Sequence, residues 1–505
     1  MAITKSLDVS AIASATSVSV KQQNQQNAAN LRPEVIVCIG QAQTGKAITP
    51  NELVLASGNA DDIGVIFGFG SPLHRMAIKL FPKAGNGSKV TTYFLPVEAP
   101  KTGKANIQTI TVAGTVTKSF NGYVRLRDQI FEAAADVAGK VATNAHNNPA
   151  KAPRGTDLNS FETKLIPFSI IKGMTASEAA AALKDALDEV VEVPFTSAVD
   201  AAVITLTGKW IGSDSHFDIS IVDEDGEVPA AAAYGVSFTI AETEAAAGVG
   251  SIPAAALAAM DEELGVTRVV SQYATNTVLD ALNEKFMAFR DGLIAQYVLC
   301  YSAIQAPESQ TVAGTWDVQT LIAAGNARRA DAVNVQIVGD FGDLRKLTYA
   351  ERDRLLKAGY PNLRMKADGS YVIDDLTTFY HPVGYSNPLY RFDRDVTVVA
   401  NIAYDLMYTF RDTEAWKSIV IIAGNDTTVN PAARSLKDVK AAVNARIGLL
   451  GLAGLIANYA EAQKQTQVEI DSSNPNRINI NPKFEITGVG RIYDITNFIG
   501  FYFGK

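Results

Sequence analysis

Two textures of hydrophobic residues alternate along the chain. From Pro33 the apolar positions come in short unbroken runs, so Val35 to Ile39 and Val90 to Val97 are predicted to be buried strands. Ile63 to Phe67 reads as another strand that ends in Gly68-Phe-Gly70, and Met76 to Phe81 as a helix. Between 101 and 250 the pattern changes. Ile107 to Val116, Leu165 to Ile171, Ala202 to Thr207 and Val236 to Ile240 are predicted strands separated by Gly, Pro and Asp turns. One helix there is announced by Thr175-Ala-Ser-Glu178, a capping box in which hydroxyl and carboxylate satisfy each other's free backbone N–H groups. It runs to Val190, with Ala179, Ala182, Leu183 and Leu187 facing the sheet.

From Val266 the first texture returns, with a strand to Tyr273, a helix from Asn276 to Arg290 carrying Leu279, Leu282, Phe286 and Phe289 on one side, and a strand from Val333 to Val338. The chain thus re-enters its first domain after an insertion. A last unit begins near Tyr385, where Val398 to Arg411 carries Val399, Ile402, Leu406 and Phe410 at helical spacing. Ser435-Leu-Lys-Asp438 opens a longer helix toward Ala460. The predicted fold class is α/β and multidomain. The core domain occupies 31–100 and 251–384 and is interrupted by a β-rich insertion at 101–250. An α+β C-terminal domain at 385–490 follows, and extended arms lie at 1–30 and 491–505.

The arms are the least ordinary segments. Ala15 to Val20 holds a short alternating piece with Ser17, Val18 and Val20, tethered by the polar stretch Lys21 to Asn30, which has too little apolar area to order itself alone. At the other end, Thr466 to Ile470 and Ile478 to Ile480 read as strands around an Asn474-Pro-Asn turn. Arg491 to Phe503 then places Tyr493, Ile495, Ile499, Phe501 and Phe503 on one pleated face. A strand of that kind either fills its own sheet or completes a neighbour's. For the N-terminal piece the alternative is a leader without a role.

Composition narrows the function classes. The 505 residues, 47% hydrophobic and 19% charged, exclude a disordered or collagen-like chain. A formal charge of -8 gives the whole surface no general attraction to nucleic acid. Cys38 and Cys300 are too few for a disulfide scaffold and read as buried thiols. Met1 to Val20 lacks the apolar core of a signal peptide. The apolar run from Arg446 to Glu461 is too short for a membrane span and is expected to pack in a core or an interface.

Chemistry-bearing motifs are weak. Gly40-Gln-Ala-Gln-Thr-Gly45-Lys46-Ala47 follows a strand as a phosphate loop does. Ala47, however, lacks the hydroxyl that would hold magnesium, and Pro50 opposes the helix that should follow, so it reads as a surface loop. His74, His146, His216 and His381 show no metal-binding spacing. Gly68-Phe-Gly70-Ser71-Pro72 reads as a tight loop leading from a strand into a helix rather than an anion nest. Asp223-Glu-Asp-Gly226 reads as an acidic turn without calcium-loop spacing. The adjacent pairs Asp61-Asp62 and Asp374-Asp375 point apart along an extended chain and have turn or cap roles. No catalytic, cofactor or metal site is expected.

The chain resembles the tail sheath proteins of contractile bacteriophages, in particular the phage Mu-like group. The likeness is clearest in Asp374-Asp-Leu-Thr-Thr378, Phe392-Asp-Arg-Asp395, Asn401 to Arg411, Asn430-Pro431, and Asp471-Ser-Ser-Asn-Pro-Asn-Arg477-Ile-Asn-Ile480 before the last aromatic strand. A looser likeness covers Ile36 to Pro96, through Phe67-Gly-Phe-Gly-Ser71-Pro72-Leu73, and it fades between 101 and 250. The resemblance implies a virion protein assembled in the host cytoplasm. It would form hexameric rings stacked helically around a tail tube, with baseplate and tail terminator proteins at the two ends, no direct nucleic-acid contact and no membrane insertion. The sheath would contract from a metastable extended state and drive the tube through the host envelope for genome ejection, without enzymatic activity.

The same resemblance implies that 101–250 faces outward and that 385–490 faces the tube. Both arms would join a small sheet in neighbouring subunits, with Leu455 and Ile456 packed beneath it. Lys437 and Lys440, three apart on one helical face, are the candidate tube contacts, whereas Arg446 falls on the opposite side. Another self-assembling virion protein, a capsid or tube subunit, is the alternative reading. A nucleotide-binding enzyme at Gly45-Lys46 is the more distant one.

Overall fold

A computed structural model of the chain describes residues 31–81, 90–127, 164–273, 276–291, 298–301, 336–337, 348–357, 363–365, 371–373, 391–416, 419–422 and 430–488. The described chain divides into two compact units, Arg32–Asn401 and the part from Ile402 onward.

The first unit is built on a five-stranded sheet in the order Leu299–Tyr301, Arg268–Ser271, Val35–Gly40, Thr91–Pro96 and Val54–Leu55. The first four strands are parallel, and only Val54–Leu55 runs against its neighbour. Parallel strands are covered on both faces, which is why Val35–Gly40 reads as one apolar run, with Ile36 to Ile39 fully buried. The helices Ala60–Phe67, Pro72–Leu80, Ala254–Ala259 and Asn276–Asp291 supply the cover, and their buried faces join the strands in one hydrophobic core.

Within the same unit a second core lies between two antiparallel sheets. One has the order Val236–Glu244, Ile107–Gly114, Val203–Gly208 and Phe195–Asp200. The other is Lys164–Ile170, Phe120–Arg127 and Asp218–Asp223. Helix Ala176–Asp188 packs on these strands and has both halves of the capping box: Glu178 N–H donates to Thr175 Oγ1 and Thr175 N–H to the Glu178 carboxylate. Its buried face is Ala179, Ala180, Leu183 and Leu187, so Ala180 replaces the half-buried Ala182 of the expected stripe.

Three local expectations are corrected. Ile63 to Phe67 is not a strand but the end of helix Ala60–Phe67. Asn59 caps it by accepting from Asp61 N–H, Asp61 and Asp62 fill its first turn, and Ala60, Ile63, Gly64 and Phe67 repeat at helical spacing. The helix expected from Val398 begins earlier, at Asp393, and its most buried positions past Ile402 are Asp405 and Thr409 rather than Leu406 and Phe410. The helix opened by Ser435 and Asp438 stops at Leu452 instead of continuing toward Ala460. Gly454, at φ +76°, takes the chain out of the helix, and Leu455 N–H closes back on Leu450 O at 3.0 Å.

The second unit then adds strand Ile456–Ala457, helix Tyr459–Gln465, a hairpin of Gln467–Ile470 with Ile478–Asn481, and strand Glu485–Ile486. The Asp471 carboxylate organises the hairpin turn by accepting from Ser473 and Asn474 N–H groups. The Ser473 hydroxyl and backbone bonds hold its acidity well above that of an ordinary aspartate. No helix among the described residues is long and apolar enough to cross a membrane.

Candidate interaction surfaces

In open α/β sheets, ligands enter the crevice beyond the carboxyl ends of the parallel strands. Here Gly40 ends one such strand and Ser271 another, and the loop Gly40 to Ala47 leaves from that edge. Its backbone donors are turned to protein. Gln41 N–H donates to Gln272 Oε1 at 2.7 Å, Gln43 N–H to Phe67 O and Thr44 N–H to Lys209 O, both at 2.7 Å. No helix follows the loop before Asn59, and Lys46 Nζ donates to Val65 O at 3.2 Å. The geometry lacks the helix start on which a phosphate loop depends.

The crevice itself is occupied by the insertion. Residues 209–215 lie across it, with Trp210 buried, Gln41 Nε2 donating to Ile211 O at 2.8 Å and Gln272 Nε2 donating to Asp214 Oδ2 at 2.5 Å. Burial pushes the Asp214 carboxyl up to about 6, against the opposing pull of the Gln272 hydrogen bond. Lys209 donates to Phe69 O at 2.6 Å and Val191 O at 2.8 Å. Burial, reinforced by Arg75, lowers its pKa to about 8 while Glu192 opposes. Nothing local in the sequence marks this seam, because Gln41 and Ile211 are 170 positions apart.

The other motifs resolve into structural roles. Ser71 caps helix Pro72–Leu80 by accepting from His74 N–H, and buried His74 accepts Gly70 N–H on Nδ1 at 2.9 Å, so the Gly68 to Pro72 turn serves the helix start. His216 Nδ1 lies 3.4 Å from Asn106 Nδ2 and from Glu242 Oε1. Asp223 accepts from Asp225 and Glu227 N–H groups and from Tyr234 Oη, which makes 223–226 a closed turn. Among the described residues no His, Cys, Asp and Glu cluster has the makings of a metal site. His146, His381 and Asp374-Asp375 lie outside the described residues.

In the second unit, helix Leu436–Leu452 shows two different sides. Lys437 is exposed and Lys440 half-exposed, whereas Arg446 forks onto Asp405: Nε donates to Oδ2 at 2.8 Å and the terminal nitrogen to Oδ1. Arg446 is therefore the cation of a buried ion pair that ties two helices, not a solvated charge, and Asp405 is the carboxylate that the periodicity of the helix concealed. Further on, Ile456 pairs with Ile486 and Ala457 with Glu485 in an antiparallel ladder that no third strand joins among the described residues. Ile456, expected beneath a sheet, is itself part of one, with Leu455 buried beside it. A pocket of about 730 Å³ beside it is lined by Ala457, Asn458, Tyr459, Lys464, Lys483 and Glu485 among others. The arm residues Ser17, Val18, Val20, Tyr493, Ile495, Ile499, Phe501 and Phe503 lie outside the described residues.

No protein-family model and no curated protein matches the chain. Solved structures do. The sheath tail protein of Desulfitobacterium hafniense is 11% identical, with 94% of this chain and 100% of that chain covered and a TM-score of 0.42. A sheath tail protein of Listeria innocua is 13% identical over 92% of this chain and 94% of its own, at 0.43. A chain of the contracted helical sheath of the anti-feeding prophage is 12% identical over 97% of this chain and 99% of its own, at 0.36. Each of these three similarities extends over more than nine-tenths of this chain.

Proposed function

We propose that the chain is the structural, non-enzymatic subunit of a contractile tail sheath. It polymerises as stacked hexameric rings around a tail tube in the virion, with baseplate and terminator proteins at the ends, and contracts from a metastable extended state to drive the tube through the host envelope. The observation that carries this reading is the ladder of Ile456–Ala457 with Glu485–Ile486. Two residue pairs do not make an independently stable sheet. The ladder needs more strands, and the sequence supplies two at the ends of the chain: Ser17 to Val20 on its polar tether, and the pleated aromatic face of Arg491 to Phe503, which starts a few residues after the ladder.

Strands donated by neighbours would complete the ladder by backbone hydrogen bonds, and the tether would let the connection survive a change of subunit spacing. Each subunit that gains buried apolar area in the contracted lattice contributes at about 25 cal/mol per Å², and the sum over a polymer is large. No cofactor enters this mechanism. Lys437 and Lys440 face the tube in this reading, through screened contacts that release on contraction.

Removal of residues 1–30 tests the arm. The shortened chain is expected to keep its circular dichroism spectrum and to fail to form cylinders by negative-stain microscopy, where the full chain forms hollow ones. Normal cylinders from the shortened chain would remove the arm's role, and closed shells or thin tubes from the full chain would replace the sheath reading with a capsid or tube.

A further inference from the structure

Where the chain enters the first unit, four charged side chains are sealed into the protein. Leu31 is 45% exposed and Arg32, the next residue, only 9%. Arg32 Nε donates to Glu34 Oε1 at 2.9 Å, Arg268 Nε donates to Glu34 Oε2 at 3.1 Å, and Arg268 reaches Asp393 Oδ1 at 3.5 Å. Thr267 Oγ1 donates to the same Glu34 oxygen at 2.5 Å and accepts Val35 N–H at 2.9 Å. Thr397 Oγ1 donates to Asp393 at 2.8 Å, and Arg32's own backbone N–H donates to Asn401 Oδ1 at 3.0 Å. Two cations and two carboxylates are joined in a circuit over three elements: the entering segment, the sheet strand Arg268–Ser271 and the helix that begins at Asp393.

We propose that this circuit is the anchor of the N-terminal arm, the fixed point at which pull on the arm passes into the parallel sheet and the helix beginning at Asp393. The inference rests on the sheath reading for the origin of the pull, though not for the anchor itself. The physical reason is asymmetry. Apolar packing of similar volume would hold the segment at least as strongly but would specify no register, and buried ionic groups are best attested in that specifying role. Peeling the chain back past Arg32 would take one guanidinium away from the buried Glu34 carboxylate, and breaking a buried pair in this way is strongly destabilising. Burial raises Glu34's pKa and the two arginines more than reverse this, so its carboxylate stays charged in the circuit. Loosening from the N-terminal side would therefore stop at Leu31, which fixes the point from which the arm of the sheath reading would extend.

Hydrogen exchange on the purified full-length chain tests the anchor. In Glu34→Gln the Arg32 amide is expected to exchange at least about ten times faster, while the amides of Ile36 to Ile39 stay within about a factor of two. Asn401→Ala, which removes only the acceptor of that amide, is expected to give the same local pattern and stands in if Glu34→Gln fails to fold. An unchanged Arg32 amide in Asn401→Ala, or equal acceleration through the whole strand, overturns the anchor. Failure of the wild-type chain to form cylinders would remove the sheath reading and leave the exchange result to decide the anchor. Where cylinders form, Glu34→Gln is expected to yield severalfold more broken rings after contraction, and equal breakage would overturn the anchor's mechanical role.

Discussion

The parallel core and the antiparallel insertion are built on opposite rules. Strand Val35–Gly40 is covered on both faces, whereas strand Ile107–Gly114 buries alternate residues, with Ile110 and Val112 inside and Thr111 and Ala113 outside. Each has its own hydrophobic cluster, one from Ile36 to Val396 and one from Ile110 to Phe238, and they meet across a polar seam of loops. The two clusters share no residue, and Trp210 is buried in the segment that lies between them. Close backbone fit, carbonyl partners for Lys209 and the Asp214 carboxyl add to the join. The core and the insertion are thus joined through contacts that are specific but few.

The largest expected effect comes from a close fit across the seam. Gly70 has φ +79°, and a Cβ there would sit 2.3 Å from Val193 O and 2.8 Å from Glu192 O. Left-handed strain of about 1–2 kcal/mol and overpacking of about 1–3 kcal/mol add, so Gly70→Ala is expected to cost about 2–5 kcal/mol and to split thermal unfolding into core and insertion transitions. Gly173 provides the control. It has φ +96° with nothing within 4 Å of the built Cβ, so Gly173→Ala carries the strain alone, about 1–2 kcal/mol. Equal losses at the two glycines in calorimetry would mean that the seam is looser than its distances.

Next comes pH. Asp214 has a folded pKa raised from 3.8 to about 6, so the native seam binds this proton more tightly than the unfolded chain does. Its stabilising contribution is complete below about pH 4 and is lost as pH rises through about 6. A rise of that size corresponds to about 3 kcal/mol. Urea midpoints of the wild type are therefore expected to fall between pH 4 and 6.5 relative to those of Asp214→Asn, whose amide oxygen still accepts from Gln272 without a charge to bury. Parallel pH profiles for the two proteins would show that Asp214 stays solvated at the seam.

How much of this was legible differs by distance along the chain. Strands such as Val35 to Ile39 and the Thr175 to Glu178 cap were readable because their causes lie within a few residues. Ile63 to Phe67 misled because a five-residue apolar run has no period of its own, and the helix is decided by Asn59 and the acidic first turn just before it. The buried line of helix Asp393–Arg411 misled for another reason: Asp405 looks like a surface residue until Arg446, 41 positions later, is known to face it. The seam and the charged circuit at Arg32 leave no local trace in partners such as Gln41 and Ile211, 170 positions apart, or Glu34 and Arg268, 234 apart. For Ser17 to Val20 and Arg491 to Phe503, sequence pattern remains the source of the reading.

The smallest effect is the most discriminating about whether core and insertion are one cooperative unit. Thr175→Ala removes the side-chain acceptor of Glu178 N–H, at 3.3 Å, but keeps the residue's own N–H donation to the Glu178 carboxylate, at 2.8 Å. Half the box survives, so the expected cost is about 1 kcal/mol, which corresponds to about fivefold faster exchange where opening is local. Because the helix buries Ala179, Ala180, Leu183 and Leu187 in the insertion's own cluster, that acceleration is expected in strands Ile107–Gly114 and Lys164–Ile170 and not in Val35–Gly40. Equal acceleration in Val35–Gly40 would mean that the seam transmits the whole loss, and that the two regions, built on opposite rules, unfold as one.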